Sequence, residues 1–147
     1  MIPTKRYAII LASCLSLLIA AGCGFKSDPS PIDTSDLFRW DSVKAEAIDP
    51  CVKVTAKLAG NIRDVNKIVI EVQKAGEQAD CPDCPFSADE EFEFTPSELS
   101  LLVNGGKFEA RFCPTQVSNM YRWKMKAKSR YFGMPDATTR ERFIQMP

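Results

Sequence analysis

Residues 121–130 read YRWKMKAKSR, and the strict alternation of that stretch decides the fold class. Tyr121, Trp123, Met125 and Ala127 share one parity, while Arg122, Lys124, Lys126 and Lys128 share the other. Successive side chains of a strand point to opposite faces, so the stretch reads as a strand with one apolar and one basic face. A helix would scatter the same apolar residues around its circumference.

Moving back along the chain, residues 107–113 repeat the pattern. Phe108, Ala110 and Phe112 lie on one face, with Lys107, Glu109, Arg111 and Cys113 on the other, and Pro114 ends the run. Asn104-Gly105-Gly106 before it is a strong turn signal. Thr95-Pro96-Ser97-Glu98 has capping-box spacing, which fits either a helical turn or a strand connection through Leu99, Leu101, Leu102 and Val103. Residues 91–95 alternate through Phe92 and Phe94. In residues 65–73, Ile68, Ile70 and Val72 point inward, with Lys67, Glu71 and Gln73 outward or at an edge. Residues 51–58, CVKVTAKL, alternate cleanly, with Val52, Val54, Ala56 and Leu58 on one face. Residues 37–48 carry Phe38, Trp40, Val43, Ala45 and Ala47 in a partly alternating run, closed by Asp49-Pro50.

Forward of the opening stretch, Gly133 and Pro135-Asp136 make a turn. Residues 138–146 form a last strand, with Phe143 flanked by Arg142 and Ile144. No stretch has a helical apolar repeat of useful length. About seven short strands with turn signals between them predict an all-β sandwich over residues 37–147.

Composition narrows the function classes. Lys+Arg and Asp+Glu are 19 each, so the formal net charge is zero, without the basic footprint of a nucleic-acid binder. No nucleic-acid partner is expected. The chain has no His, which removes the commonest general base and the commonest transition-metal ligand. The expectation is a non-enzymatic chain without a cofactor.

The first residues address the chain elsewhere. Lys5 and Arg6 precede an uncharged apolar run over residues 8–21, and small residues lead up to Cys23. That is the build of an export signal, shorter than the roughly 20 residues of a membrane span. Ala20-Ala21-Gly22-Cys23 resembles the lipobox of bacterial lipoproteins, with Ala20 where Leu is usual. The resemblance implies cleavage before Cys23 and acylation of its thiol; a plain secretory signal and a retained membrane helix are the other readings. Cys23-Gly24-Phe25-Lys26-Ser27-Asp28-Pro29 resembles the Cys-Gly-x-Lys-Gly-x-Pro opening of small proteobacterial lipoproteins, with Ser27 where Gly is usual. Gly24, where Asp would imply inner-membrane retention, implies the outer membrane, facing the periplasm. The expected organisation is a signal peptide at 1–22, a lipidated flexible linker at 23–36 and the sandwich at 37–147.

Trp40, the 52–58 strand, Phe108, the Tyr121…Ala127 strand and Gly133 resemble a fibronectin type III domain, in which a Tyr opens strand F. The Cys-Pro-x-Cys-Pro loop after the third strand is also similar to lipoproteins of anaerobic proteobacteria. In a fibronectin-like sandwich strands B and E are antiparallel neighbours. The resemblance therefore places Cys51, at the start of B, beside Cys113, at the end of E, both with outward parity, and implies a Cys51–Cys113 disulfide.

Cys81-Pro82-Asp83-Cys84 is the remaining cysteine pair. A C-x-x-C at a helix N-terminus makes a redox pair. Here it sits in an acidic loop that should raise thiol pKa values, with no βαβ unit around it. A structural Cys81–Cys84 disulfide is expected, with a thiolate metal clip or redox catalysis as alternatives. The acidic residues of the 80–93 loop read as solvated and match no calcium loop. The Arg122, Lys124, Lys126, Lys128 ladder reads as a solvated face, or as a contact for a protein or an anionic envelope polymer. The expected role is a membrane-anchored interaction module; a thiol–disulfide protein and an assembly factor for an outer-membrane complex are the alternatives.

Overall fold

The alternating stretches become eight strands: β1 (Phe38–Ile48), β2 (Cys51–Gly60), β3 (Val65–Lys74), β4 (Glu90–Phe94), β5 (Lys107–Phe112), β6 (Met120–Ser129), β7 (Ala137–Thr138) and β8 (Arg142–Gln145). The computed structural model describes residues 37–75 and 84–147, all within one compact unit. The leader, Cys23, the 23–36 linker and Cys81 lie outside the described residues. All pairings are antiparallel. One sheet runs β1-β2-β5; the other runs β4-β3-β6-β7, with β8 also on β6. The two sheets form a β-sandwich with the strand order of a fibronectin type III-like fold.

The apolar parities meet in the core. Val52, Val54, Ala56 and Leu58 of β2 and Phe108, Ala110 and Phe112 of β5 face Ile68, Ile70 and Val72 of β3 and Tyr121, Trp123, Met125 and Ala127 of β6. Each large side chain removed from water in this way stabilises the fold by roughly 1.5–3 kcal/mol. The imperfect alternation in β1 has a local cause. Trp40 pairs with Leu58 and Ser42 with Lys57, which leaves Asp41 as an extra residue. That bulge shifts the parity, so Phe38 and Trp40 before it and Val43, Ala45 and Ala47 after it all turn toward the core. A second bulge at Asn66 does the same for Val65 and Ile68 in β3.

Residues 95–106 resolve as turns rather than a helix. Thr95 and Glu98 do form the reciprocal capping contacts: Thr95 N–H donates to Glu98 Oε2 at 2.7 Å and Glu98 N–H to Thr95 Oγ1 at 3.3 Å. The chain then turns back, and Leu99 and Leu101 are buried in the core. Gly106 closes the turn at φ +87°, where a Cβ would lie 2.1 Å from the Leu58 carbonyl oxygen, so no side chain fits.

The expected last strand over 138–146 is two strands. Thr139 leaves the ladder to serve β6 in another way: its Oγ1 accepts from Met125 N–H, and its own N–H donates to the Met125 carbonyl, each at 2.9 Å. The chain rejoins β6 at Arg142.

Two polar contacts close the sandwich where β1 meets β7 and β8. Trp40 Nε1 donates to the Ala137 carbonyl at 2.9 Å, and Arg142 to the Val43 carbonyl at 3.0 Å. At the start of β6, the Tyr121 hydroxyl donates to the Gln116 carbonyl at 2.5 Å and accepts from Ser118 N–H at 2.9 Å. This is a tyrosine corner, and it pins the loop that passes from one sheet to the other.

Candidate functional site

Cys51 and Cys113 are bonded, S–S 2.03 Å. Val52 pairs with Phe112, so the next residues outward on the two strands are the two cysteines. Their parity was expected to face solvent. Cys113 is exposed, but Cys51 is buried; it is bonded to Cys113 on one side and paired with Ile48 of β1 on the other.

The same end of the sandwich carries the segment that returns from the 76–83 region, and it comes down on the outer face of the five-stranded sheet. That face carries the basic ladder, which is not the solvated stripe that alternation implies. Arg122 is only 9% exposed. Its Nη1 donates to the Cys84 carbonyl at 2.9 Å, and its Nη2 pairs with Glu141. Lys124 sits 4.0 Å above the centre of the Phe86 ring, a cation–π contact. Lys128 has no ion pair among the described residues, and its cross-strand neighbour is Lys67.

Glu71 is the second departure. Its parity is outward, as expected for β3, yet it is 6% exposed. Lys124 lies opposite it on β6 and Lys126 is the next outward residue, and both pair with its carboxylate. Burial alone would push that carboxyl up. Hydrogen bonds and charge from Lys126, then Lys124, outweigh the burial and hold it below the usual carboxylate range. With Lys67, Glu91 and Glu93, which the register puts on the same face, five cations stand against four carboxylates, so the face is close to balanced and Lys128 is its cation without an ion pair among the described residues.

Cys84 is exposed and disulfide-bonded; its expected partner Cys81 lies outside the described residues. The Arg122 guanidinium, itself paired with Glu141, donates to the Cys84 backbone carbonyl; the loop acids Glu77, Asp80 and Asp83 lie outside the described residues.

Two acids of that loop hold backbone. Asp89 accepts from Lys74 N–H at 2.8 Å. Glu90 accepts from the N–H groups of Thr115 at 3.0 Å and Gln116 at 3.1 Å. Burial opposes its charge, but those N–H donors prevail and hold its carboxyl low. The sequence signal for these roles was weak, since Asp and Glu in a loop look alike whether solvated or hydrogen-bonded. Among the described residues no group of three or more His, Cys, Asp or Glu is placed to hold a metal ion, and no helix is long and apolar enough to cross a membrane.

A scan against models of known protein families finds no family that matches this chain, and a search of the curated proteins finds no match.

Proposed function

We propose that the protein is a lipid-anchored binding module of a bacterial cell envelope, non-enzymatic, held by an acylated Cys23 and presenting its β-sandwich to an envelope protein or an anionic polymer. The observation that carries the reading is the uncharged run over residues 8–21 ending in Ala20-Ala21-Gly22-Cys23 behind Lys5 and Arg6. The Cys51–Cys113 disulfide supports it, because such a bridge persists in an oxidising compartment such as the periplasm. Gly24 favours the outer membrane. Lys128, opposite Lys67 and without an ion pair among the described residues, favours an anionic partner at that end of the face.

Metabolic labelling with palmitate tests the anchor. Wild type is expected to take up label and fractionate with membranes, and Cys23→Ser to lose both. Equal labelling of the variant would end the reading. Crosslinking in the envelope from residue 128 then tests the partner face.

One observation favours a thiol–disulfide role as the second reading: Cys84 is disulfide-bonded and exposed, so an attacking thiolate can reach it. An insulin-reduction assay separates the two. Activity abolished by Cys84→Ser would favour the redox protein, and none would leave the disulfide structural.

A further inference from the structure

One pole of the sandwich displays side chains that a water-facing surface rarely groups. Leu37, the first described residue, enters there, its carbonyl against Gly60. The short turn Ile62–Asp64 lies at the same pole, with a loop on either side. Residues 95–106 abut it through Gly106, which packs on Leu58 beside the Ile62 side chain. Residues 130–136 abut it through Arg130 N–H, which donates to the Asp64 carbonyl at 2.8 Å. The first loop exposes Leu102 and Val103, and the second exposes Tyr131 and Phe132. Val103 is 88% exposed and Phe132 is wholly in solvent. Lone exposed apolar side chains are ordinary, but four from two separate loops at one pole are not. Nor does the first loop lack room inside, since Leu99 and Leu101 from the same turns are buried.

We propose that this pole is a membrane-contact tip, with Leu102, Val103, Tyr131 and Phe132 seated in the interfacial layer of the bilayer that holds the acylated Cys23. This rests on the acylation reading. The occupant follows from where the chain enters. Fourteen residue steps separate Cys23 from Leu37. They span about 50 Å fully extended and about 20 Å as a flexible coil. The chain enters the sandwich at this pole, so the tether joins the domain at the end that carries these side chains. Aromatic and aliphatic side chains at an interface bury about 5–10 Å into the headgroup and acyl boundary. Arg63, Lys107 and Arg130 rim the pole, exposed and with no ion pair among the described residues, suited to lipid phosphates. Asp64, Glu98 and Asp136 balance those three cations, with Asp64 and Glu98 turned to Asn61 and Thr95, so the exposed apolar side chains and not net charge carry the argument.

The test places a tryptophan reporter at each pole of the full acylated protein, reconstituted in vesicles of phosphatidylethanolamine and phosphatidylglycerol. Phe132→Trp reads the proposed tip and Val117→Trp the opposite pole; both positions are exposed, so folding is not at stake. The wild-type signal of Trp40 and Trp123 is subtracted. Phe132→Trp is expected to shift its emission to the blue, to be quenched by brominated lipid and to lose most of its acrylamide quenching. Val117→Trp should stay open to acrylamide. Both reporters in water would overturn the proposal, and so would both shielded, which would mean adsorption without a preferred pole. Shielding of Phe132→Trp without bromolipid quenching, with a dimer in sedimentation, would assign the pole to a second copy and overturn it. Palmitate labelling is read alongside. If Cys23 carries no label, the acylation reading fails by itself, and bromolipid quenching of the unacylated chain at Phe132→Trp still upholds the tip, its absence overturning it.

Discussion

The indole N–H of Trp40 reaches the carbonyl of Ala137, 2.9 Å away and 97 residues along the chain, and so fastens an edge of one sheet to an edge of the other. The contact is part-buried, and Trp40 also packs against Phe108 with ring centres 6.1 Å apart. Trp40→Phe keeps most of the packing and strands the Ala137 carbonyl. The expected loss is about 1–2 kcal/mol, read as a lowered urea midpoint. Trp40→Ala should cost more, since it also leaves a cavity.

Tyr121→Phe isolates the corner hydroxyl. Gln116 loses a donor and Ser118 N–H an acceptor, while the ring stays buried. Destabilisation of about 1–3 kcal/mol is expected. Hydrogen exchange should quicken first in residues 114–119, before β6 itself is affected.

The double variant Cys51→Ala, Cys113→Ala opens a ring whose ends are 62 residues apart. In the chain-entropy picture that bridge is worth about 4 kcal/mol. Reductant should move the urea midpoint of wild type downward, and leave that of the double variant nearly still. An unmoved wild-type midpoint would contradict the account.

Glu71 makes stability depend on pH in a definite direction. Its folded carboxyl titrates below its unfolded counterpart, so the unfolded chain takes the proton first. The contribution is complete above the unfolded value, about 4.3, and disappears as pH falls through the lower folded one. Glu71→Gln is expected to lower stability at pH 7 and to flatten the acid limb of the profile. Glu90 acts with the same sign, so some acid sensitivity should persist in the variant. Urea midpoints measured between neutral and acid pH check both statements.

Much of the architecture was legible because one face of each strand meets the core. Residues 52–58, 107–113 and 121–128 show that parity in their spelling, and even the irregular spacing of Phe38, Trp40 and Val43 corresponds to a bulge. The cysteine pairing followed once β2 and β5 were placed as neighbours. Parity says which way a side chain points, however, and nothing about what lies over the outer face. Glu71 and Arg122 point outward and are buried all the same: Lys124 and Lys126 cover one, Cys84 and Glu141 meet the other, and all come from other segments. Glu71 in β3 against alternating lysines in β6 was a signal of complementary charge, usable only with the register in hand. The interruption between β7 and β8 depends on Thr139 binding Met125, and Ser or Thr in a strand does not announce such a contact.

The run of β8 alongside β1 bears on how the domain would carry a mechanical load. Leu37 and Gln145 lie at opposite poles, with Trp40–Ala137 as a rung from β1 to β7 and Arg142–Val43 as a rung from β8 to β1. A pull on both ends loads those rungs in shear, all at once, rather than unzipping them in turn. Once they part, the covalent loop from Cys51 to Cys113 withholds about 200 Å of contour from extension. A single-molecule stretching trace should come up short by that length until reductant is added.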